Sequence, residues 1–124
     1  NGPRDRRFTT PNGRANFTVN PAASNRLEPG QLVMMTIRTH DQFNTTVYGL
    51  DDRYRGISRG RRVVLLNAED IRERGLKPGD VVDLVSHFRG ETRTAPRFVV
   101  VEYDIPRGSA ATYFPEANVL VPLD

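Results

Sequence analysis

Short apolar runs separated by polar, turn-forming residues are the main feature of the chain after residue 31. Residues 32–37 and 62–66 are two such runs, and their content of Val, Leu, Ile and Met is typical of buried strands. Residues 81–85 and 97–103 are enriched in β-branched side chains and are also predicted to be strands. Turn residues recur at the spacing of a β-barrel or sandwich, so the pattern predicts roughly six or seven short strands and a mainly β fold.

One helix is predicted, over residues 68–74. Asn67 precedes it as a capping residue, and Glu69 and Asp70 place negative charge in its first turn, where the helix dipole favours it. Gly75 follows at the position where a glycine commonly ends a helix. A Lys-Pro-Gly-Asp turn then leads into the next strand.

The two ends of the chain have weaker patterns. Residues 1–7 are charged and contain Pro and Gly, and we expect a disordered leader ahead of one barrel domain over residues 8–124. An Asn-Gly turn predicts a hairpin over residues 7–19. At the other end, residues 109–124 contain short strand-like pieces around residues 115–118.

A long polar stretch separates the first two buried runs. Residues 38–62 lack hydrophobic periodicity, apart from a short segment at residues 45–48. Loops of more than about 12–15 residues inside a compact domain are uncommon, and they are usually functional or disordered. Residues 38–62 are therefore the first candidate region for a site.

Composition excludes several kinds of chemistry within this chain. Its 124 residues include no Cys, which excludes disulfides, iron–sulfur ligation and a thiolate nucleophile. Two histidines, His40 and His87, are too few for a His-based metal site without carboxylates, so we expect no metal ligand. No apolar run approaches the roughly 18 residues of a membrane-spanning helix. The formal net charge of +3 is modest, so we expect no nucleic-acid partner.

Three stretches, taken together and in order, resemble a known family. The first is residues 37–45, Ile-Arg-Thr-His-Asp-Gln-Phe-Asn-Thr. The others are residues 67–71 with 75–82, and Asp-Ile-Pro-Arg-Gly at residues 104–108 with Ala-Asn-Val-Leu at residues 117–120. Residues 8–17 also resemble the Thr-Pro-x-Gly-(Lys/Arg)-Ala stretch that leads into this domain. The chain is similar to the carboxy-terminal molybdopterin-dinucleotide-binding domain of the dimethyl sulfoxide reductase superfamily, and within it to formate-dehydrogenase-like alpha subunits.

The resemblance implies a six-stranded double-psi β-barrel with one or two short helices, as one domain of a larger oxidoreductase. That barrel would cap a bis(molybdopterin guanine dinucleotide) cofactor, whose molybdenum or tungsten is held mainly by upstream domains of the parent chain. The isolated domain would fold without the cofactor and would not be catalytic by itself. The same resemblance implies that the upstream domains are its partners and that the protein is cytoplasmic.

Candidate cofactor-binding residues follow from the family positions. The amides of Gln42, Asn44 and Asn118 carry both donors and an acceptor, which suits the mixed edge of a pterin. Arg38 would pair with a pyrophosphate through its guanidinium fork. Thr39 and the backbone N–H groups of its loop would hydrogen-bond phosphate or pterin oxygens.

Two further candidates have weaker support. His40 would act as a proton carrier, or simply as a hydrogen-bonding group, and Gly108 would let the backbone approach a ligand. Other interpretations stay open for the loop. Gln42 and Asn44 would also serve as ordinary turn residues, and Arg38 as a solvated charge at the end of a strand.

The arginines of residues 53–62 leave further alternatives open. They would form a phosphate-binding or subunit-contact patch, or a solvated loop with Asp51 and Asp52 as partners. They also motivate an alternative function, in which a double-psi barrel serves as a protein- or nucleic-acid-interaction module. A third alternative, a self-processing decarboxylase on the same barrel, would require cleavage between Gly108 and Ser109.

Overall fold

Five β-strands form one mixed sheet in the computed structural model of the chain, which describes residues 2–22, 26–42 and 49–122. The strands are β1 (Val33–Ile37), β2 (Val63–Leu66), β3 (Val81–Phe88), β4 (Glu91–Glu102) and β5 (Ser109–Tyr113). The helices of the described residues are α1 (Gly2–Asp5), α2 (Ala68–Glu73), α3 (Phe114–Ala117) and a 3-10 turn (Asn118–Leu120). The predicted mainly β fold with short helices is confirmed, whereas a closed six-stranded double-psi barrel stays a prediction.

The sheet has the strand order β1-β5-β2-β4-β3, and its central pair, β5 and β2, is antiparallel. β1 runs parallel to β5, and β4 runs parallel to β2, so each central strand has a parallel neighbour on its outer side. The β3–β4 hairpin adds the last strand. Because parallel strands cannot be joined by a tight turn, long connections are required between them.

All four residues of β2 are buried. Successive side chains of a strand point to opposite faces, so Val64 and Leu66 pack in one core cluster and Val63 and Leu65 in another. The first cluster includes the apolar side of α2, and the second includes Tyr113 at the end of β5. The sheet therefore buries apolar side chains on both of its faces.

The predicted helix is confirmed as α2. The side chain of Asn67 accepts a hydrogen bond from the backbone N–H of Glu69 at 2.9 Å, which caps the first turn. Gly75 follows the helix in the left-handed region, with φ of 65°. The buried carboxylate of Asp70 accepts a hydrogen bond from the backbone N–H of Gly108 at 2.7 Å. This bond ties the helix to the start of β5.

A two-residue turn at Arg89 and Gly90 joins β3 to β4. Both residues have positive φ angles, 49° and 83°, which tight β-hairpins favour. Farther along the hairpin the register shifts, and Pro96 and Arg97 of β4 oppose Asp83 of β3. Arg97 has a φ of 63°, and its backbone N–H donates to the Asp83 carboxylate at 2.9 Å. This irregularity is a β-bulge, which bends a strand and redirects its side chains.

The predicted hairpin over residues 7–19 is wrong. Its Asn-Gly turn forms, with the backbone N–H of Gly13 donating to the carbonyl oxygen of Thr10 at 3.0 Å, but no strand flanks the turn. The side chains of Phe17 and Val19 are 99% and 95% exposed, so they pack on no described part of the sheet. A turn fixes only local geometry, and an isolated hairpin is at best marginally stable in water.

The strand-like pieces predicted in residues 109–124 are confirmed only in part, because β5 precedes residues 115–118 but the described chain after β5 is helical. α3 begins directly after Tyr113 and has Pro115 in its first turn, where the missing N–H costs no helical hydrogen bond. The 3-10 turn continues the chain to Leu120, which is buried in the core. The count of six or seven strands is also wrong for the described residues, which contain five.

The amino-terminal residues form one short element. α1 is a single helical turn, and the expectation of a disordered leader over residues 1–7, ahead of a domain over residues 8–124, stays a prediction. Among the helices of the described ranges, none is long and apolar enough to cross a membrane.

Candidate functional site

The end of the β1–β5 pair brings distant parts of the chain together. Ile37 is paired with Tyr113 at the last position of this parallel pair. The loop after β1 and the helix after β5 therefore leave the sheet side by side. The described part of that loop carries four of the predicted cofactor-binding residues, Arg38, Thr39, His40 and Gln42, and the segment after α3 carries Asn118.

A cavity of 270 Å³ lies at this edge of the sheet. It is lined by Thr36, Ile37, Arg38, Phe114, Asn118 and Val121. The guanidinium carbon of Arg38 lies 5.6 Å from the centre of the Phe114 ring, within the range of a cation–π contact. Arg38 and Asn118, predicted from separate parts of the sequence, therefore line one cavity. We call it the strand-end cavity.

Thr39 and Gln42 form a tight turn next to Arg38. The carbonyl oxygen of Thr39 accepts a hydrogen bond from the backbone N–H of Gln42 at 3.0 Å, and Thr39 is 5% exposed. The side-chain Oε1 atom of Gln42 is buried and has no hydrogen-bond partner among the residues that the structure describes. An unsatisfied buried acceptor costs about 1–3 kcal/mol, so this oxygen fits a ligand that brings an N–H donor.

The same loop contacts the segment that begins at residue 49. The His40 ring packs against Tyr54, with ring centres 4.1 Å apart and planes tilted by 35°. Asp41 and Arg53 approach each other to 4.0 Å, and both side chains are largely exposed. Exposed ion pairs contribute little to stability, so the ring contact is the stronger of these two links.

A buried carboxylate, Asp52, holds this loop to the end of β5. Its Oδ2 atom accepts hydrogen bonds from the Tyr113 hydroxyl at 2.7 Å and from Nη1 of Arg55 at 2.5 Å. The same Nη1 atom donates to the carbonyl oxygen of Arg38 at 3.1 Å. Asp52 and Tyr113 are 2% and 0% exposed, so the network is internal. It fixes the backbone from which the Arg38 side chain reaches the cavity.

This network changes the acid–base properties of its members. Burial acts to raise the pKa of the Asp52 carboxyl, but the hydrogen bonds from Tyr113 and Arg55 and the charge of Arg55 outweigh it, so that pKa lies below its ordinary value. Burial, together with the bond to Asp52, raises the pKa of the Tyr113 hydroxyl well above its ordinary value. Burial acts to lower the pKa of Arg55, but its bond to Asp52 produces a net rise. Near neutral pH the network therefore holds an anion, a cation and a neutral phenol.

A second ion pair fixes α3, which leads to Asn118. Arg61 is 1% exposed, and its Nη2 atom donates to Oε1 of Glu116 at 2.7 Å. Its guanidinium carbon lies 5.5 Å from the centre of the Tyr113 ring. Arg61 and Glu116 are 55 positions apart, so no local pattern in the sequence indicates this ion pair.

The arginines of residues 53–62 do not form one patch. Arg55 and Arg61 belong to the ion pairs just described, whereas Arg59 and Arg62 line a second cavity. The neighbouring aspartates do act as hydrogen-bond acceptors for this stretch, as one of the sequence interpretations expected. The bond between Arg55 and Asp52 is partly buried, whereas the bond between Arg59 and Asp51 is exposed. The stretch is therefore not simply a solvated loop.

Four of the predicted residues, Thr39, His40, Gln42 and Gly108, are not among those that line the strand-end cavity. Gly108 precedes β5, at the opposite end of the strand from Tyr113, and a rise of about 3.3 Å per residue places the two roughly 16 Å apart. With φ of 74°, Gly108 shapes the turn into β5, and its carbonyl oxygen accepts a hydrogen bond from the N–H of Val33 at 2.9 Å. Its role as a cofactor contact stays a prediction. Asn44 lies outside the described residues.

The groups at the strand-end cavity suit an anionic ligand with a hydrogen-bonding edge. Arg38 provides positive charge, and Asn118 provides an amide at the cavity wall. Gln42 follows in the same loop as Arg38, and its buried Oε1 atom has no partner among the described residues. A metal ion would need a different donor set. Within the described ranges, no three His, Asp or Glu side chains lie close enough together to hold one.

The chain is similar to much longer proteins. It is 55% identical over 128 residues to an uncharacterized oxidoreductase of Mycobacterium tuberculosis. The aligned region covers 98% of this chain and 16% of that protein. An uncharacterized oxidoreductase of Mycobacterium bovis gives the same values. Protein YdeP of Escherichia coli is 38% identical over 130 residues, covering 100% of this chain and 17% of YdeP. The chain therefore spans about a sixth of the length of these relatives.

The family match covers the whole candidate site. The sequence model of the molydopterin dinucleotide binding domain matches residues 32–124, which include every candidate cofactor-binding residue. No solved structure gives a significant match to the chain. The chain belongs to the molydopterin (molybdopterin) dinucleotide binding domain family.

Proposed function

We propose that this chain is the domain that holds the pterin dinucleotide in a longer molybdenum- or tungsten-dependent oxidoreductase of formate-dehydrogenase-like type. In this proposal the cofactor is the bis(molybdopterin guanine dinucleotide) form. The observation that carries the proposal is the strand-end cavity, which Arg38 and Asn118 line beside the turn of Gln42. The family match and the oxidoreductase names of the mycobacterial relatives support it.

Arg38 is proposed to bind the pyrophosphate of the cofactor. A guanidinium presents parallel N–H donors that match the oxygens of a phosphate, and its charge persists at all physiological pH values. The Arg38 backbone is held by the Arg55 side chain, so its position is fixed before a ligand binds. A preorganised cation binds an anion with less ordering cost than a mobile one.

Gln42, Asn44 and Asn118 are proposed to bind the edge of the pterin. A pterin edge carries both donors and acceptors, and a primary amide matches both. The buried Oε1 atom of Gln42, which has no partner in the described part of the chain, would accept an N–H of the ligand, and Asn118 would bind from the segment after α3. This pairing gives the site orientation as well as affinity.

Thr39, His40 and Gly108 are proposed to have smaller roles. Thr39 is buried, so its backbone would orient the loop rather than grip the ligand. His40 packs on Tyr54 and would hydrogen-bond a phosphate at the edge of the site. A contact through Gly108 would involve a different part of the cofactor, because that glycine is at the other end of β5.

The bound cofactor would supply the redox-active metal of the proposed enzyme. The residues of this chain would bind and orient the pterin and keep water from it, and the remaining domains of the parent chain would hold the metal. The two parallel pairs about a central antiparallel pair support a closed double-psi barrel in the parent protein. We also propose that the parent protein is cytoplasmic and that its upstream domains are the partners of this one.

Variants of the full-length parent protein test the proposal. The Gln42→Leu variant removes the amide and keeps the approximate volume of the side chain, and Asn118→Ala removes the amide at the cavity wall. We expect each variant, purified from cells that make the cofactor, to release at least several-fold less GMP on acid hydrolysis. Asn20→Ala, which changes an exposed amide far from the cavity in sequence, is the matched control.

A second readout separates binding from folding. Because Gln42→Leu removes a buried oxygen that has no partner among the described residues, the cofactor-free variant should be at least as stable to urea as the wild type. Equal GMP release from Gln42→Leu, Asn118→Ala and Asn20→Ala would refute the assignment of these amides. A loss of GMP that merely follows a loss of stability would refute it as well.

A further inference from the structure

A second cavity, of 420 Å³, lies beside the β2–β4 pair and shares no lining residue with the strand-end cavity. The paired residues Val63 and Val99, together with Val101, give it an apolar wall. Three basic residues also line it, Arg59, Arg62 and Arg97. We call it the arginine cavity.

The arginines of this cavity have no carboxylate partner among the described residues. The Arg62 guanidinium donates to the carbonyl oxygen of Pro96 at 2.6 Å and lies over the Phe98 ring. For Arg59 and Arg97, the hydrogen bonds to described residues come from the backbone N–H groups, which donate to aspartates at 2.7 Å and 2.9 Å. Three positive charges around one cavity repel each other unless an anion lies between them.

Several other arginines of the domain are paired with carboxylates. The Arg55 and Arg61 side chains are paired with acidic residues, at 2.5 Å and 2.7 Å, and Arg107 contacts three carboxylates on α2. The domain therefore pairs many of its arginines with carboxylates, but among the described residues none pairs with a guanidinium group of the arginine cavity, where Asp51 and Asp83 bond only the backbone of Arg59 and Arg97. Charge complementarity predicts that the carboxylates come from elsewhere.

The backbone holds two of these arginines in an unfavourable conformation. Arg59 and Arg97 both have φ of 63°, a region that costs about 1–2 kcal/mol for a residue other than glycine. At Arg97 the β-bulge produces this conformation and directs the side chain to the cavity. Arg89 shares the positive φ but lies at the β3–β4 turn, outside the cavity, so it offers a matched control.

We propose that the arginine cavity docks an acidic, otherwise apolar surface segment of the remaining part of the parent chain. The valine wall would pack on aliphatic side chains, and the three guanidinium groups would pair with Asp or Glu carboxylates. The relatives are about six times longer than this chain, so most of the parent surface lies outside it. The inference rests on the proposed function, in which this chain is one domain of a longer enzyme.

Docking at this cavity would orient the strand-end cavity. β2 and β4 form the wall of the arginine cavity, and β2 is also bonded to β5, which ends at the strand-end cavity. A rigid sheet therefore connects the two regions. Because the two cavities share no lining residue, a substitution in the arginine cavity leaves the residues of the strand-end cavity unchanged, and the two proposals are tested separately.

The test is the reactivity of introduced cysteines in the full-length parent protein. This domain contains no Cys, so a label found on its peptides reports only the introduced residue. Three variants are compared, Arg59→Cys, Arg97→Cys and the control Arg89→Cys, each treated with N-ethylmaleimide in phosphate-free buffer. GMP release is measured on the same samples. A failure of the cofactor proposal is therefore distinguished from a failure of the docking proposal.

We expect Arg59→Cys and Arg97→Cys to react at least 10-fold more slowly than Arg89→Cys in the native protein, and at the same rate in urea. Equal native rates would overturn the proposal. If Arg59→Cys and Arg97→Cys reacted slowly with N-ethylmaleimide only after inorganic phosphate was added, the proposal would also be overturned. That result would indicate that the cavity binds a free anion. Arg59 and Arg97 lie on different segments, so the failure of one variant to fold leaves the other as a test.

Discussion

At the residue scale, Asp52 is central to the geometry of the candidate site. It is buried, accepts hydrogen bonds from Tyr113 and Arg55, and through Arg55 it fixes the carbonyl oxygen of Arg38. Buried carboxylates are stable only when they are paired and hydrogen-bonded. The position of the proposed pyrophosphate-binding residue thus depends on an ion pair that does not itself line the cavity.

Replacing Asp52 by Asn should destabilise the fold. The change leaves the Arg55 charge without its partner, and breaking a buried ion pair costs about 3–5 kcal/mol. Since the Arg55 side chain is 23% exposed, we expect a smaller loss, about 2–3 kcal/mol, in the free energy of urea unfolding. Asp104→Asn, at an exposed carboxylate, should change it by less than about 0.5 kcal/mol. Equal effects of the two substitutions would contradict this role for Asp52.

The acid dependence of stability should change in the same variant. The pKa of Asp52 is depressed in the folded state, so its contribution is fully present above the ordinary value of 3.8 and is lost as pH falls through the lower, folded value. The stability difference between wild type and Asp52→Asn should therefore be constant from about pH 5 to 7 and shrink below pH 3.8. Urea unfolding at a series of pH values measures it. A stability difference between the two proteins that increases as the pH falls would contradict the lowered pKa of Asp52.

The residues of the site differ in how far the sequence predicts them. Arg38 and Asn118 were identified through the family resemblance, and the structure brings them to one cavity. The contact of Asp52 with Tyr113 spans 61 positions, and nothing local to either residue indicates the other. Long-range hydrogen bonds of this kind arise from strand order, which the sequence pattern does not provide.

At the element scale, the β3–β4 hairpin contains a turn that its sequence fits poorly. Arg89 has φ of 49°, where Asn or Gly is preferred. Gly90 has φ of 83°, a conformation that glycine adopts without steric cost. We expect Arg89→Asn to stabilise the protein by about 0.5–1 kcal/mol and Gly90→Ala to destabilise it by about 1 kcal/mol. Thermal unfolding of both variants measures the effects, and a destabilised Arg89→Asn would contradict the turn geometry.

Elements with complete local signals were predicted correctly. α2 has a capping residue, acidic residues in its first turn and a glycine after its end, and each signal is independent of tertiary contacts. The hairpin over residues 7–19 has only a turn signal, and it fails because no described face of the sheet receives its apolar side chains. α3 was missed because a helix of four residues is too short to show a hydrophobic period.

At the scale of the whole molecule, the chain is a domain with two separate surfaces that call for ligands or partners. The strand-end cavity presents a cation and one amide, and the arginine cavity presents three guanidinium groups that have no carboxylate partner among the described residues, beside valines. One mixed sheet joins them. We propose a cofactor as the ligand of the first cavity and the remaining part of the longer parent protein as the partner of the second.

The most direct test of the central claim is the cofactor content of the full-length wild-type protein, purified from cells that make molybdopterin cofactors. We expect metal analysis and acid hydrolysis to give about one molybdenum or tungsten and about two GMP per chain, with the fluorescence of oxidised pterin. Protein that carries neither metal nor pterin nor GMP, although correctly folded, would contradict the account.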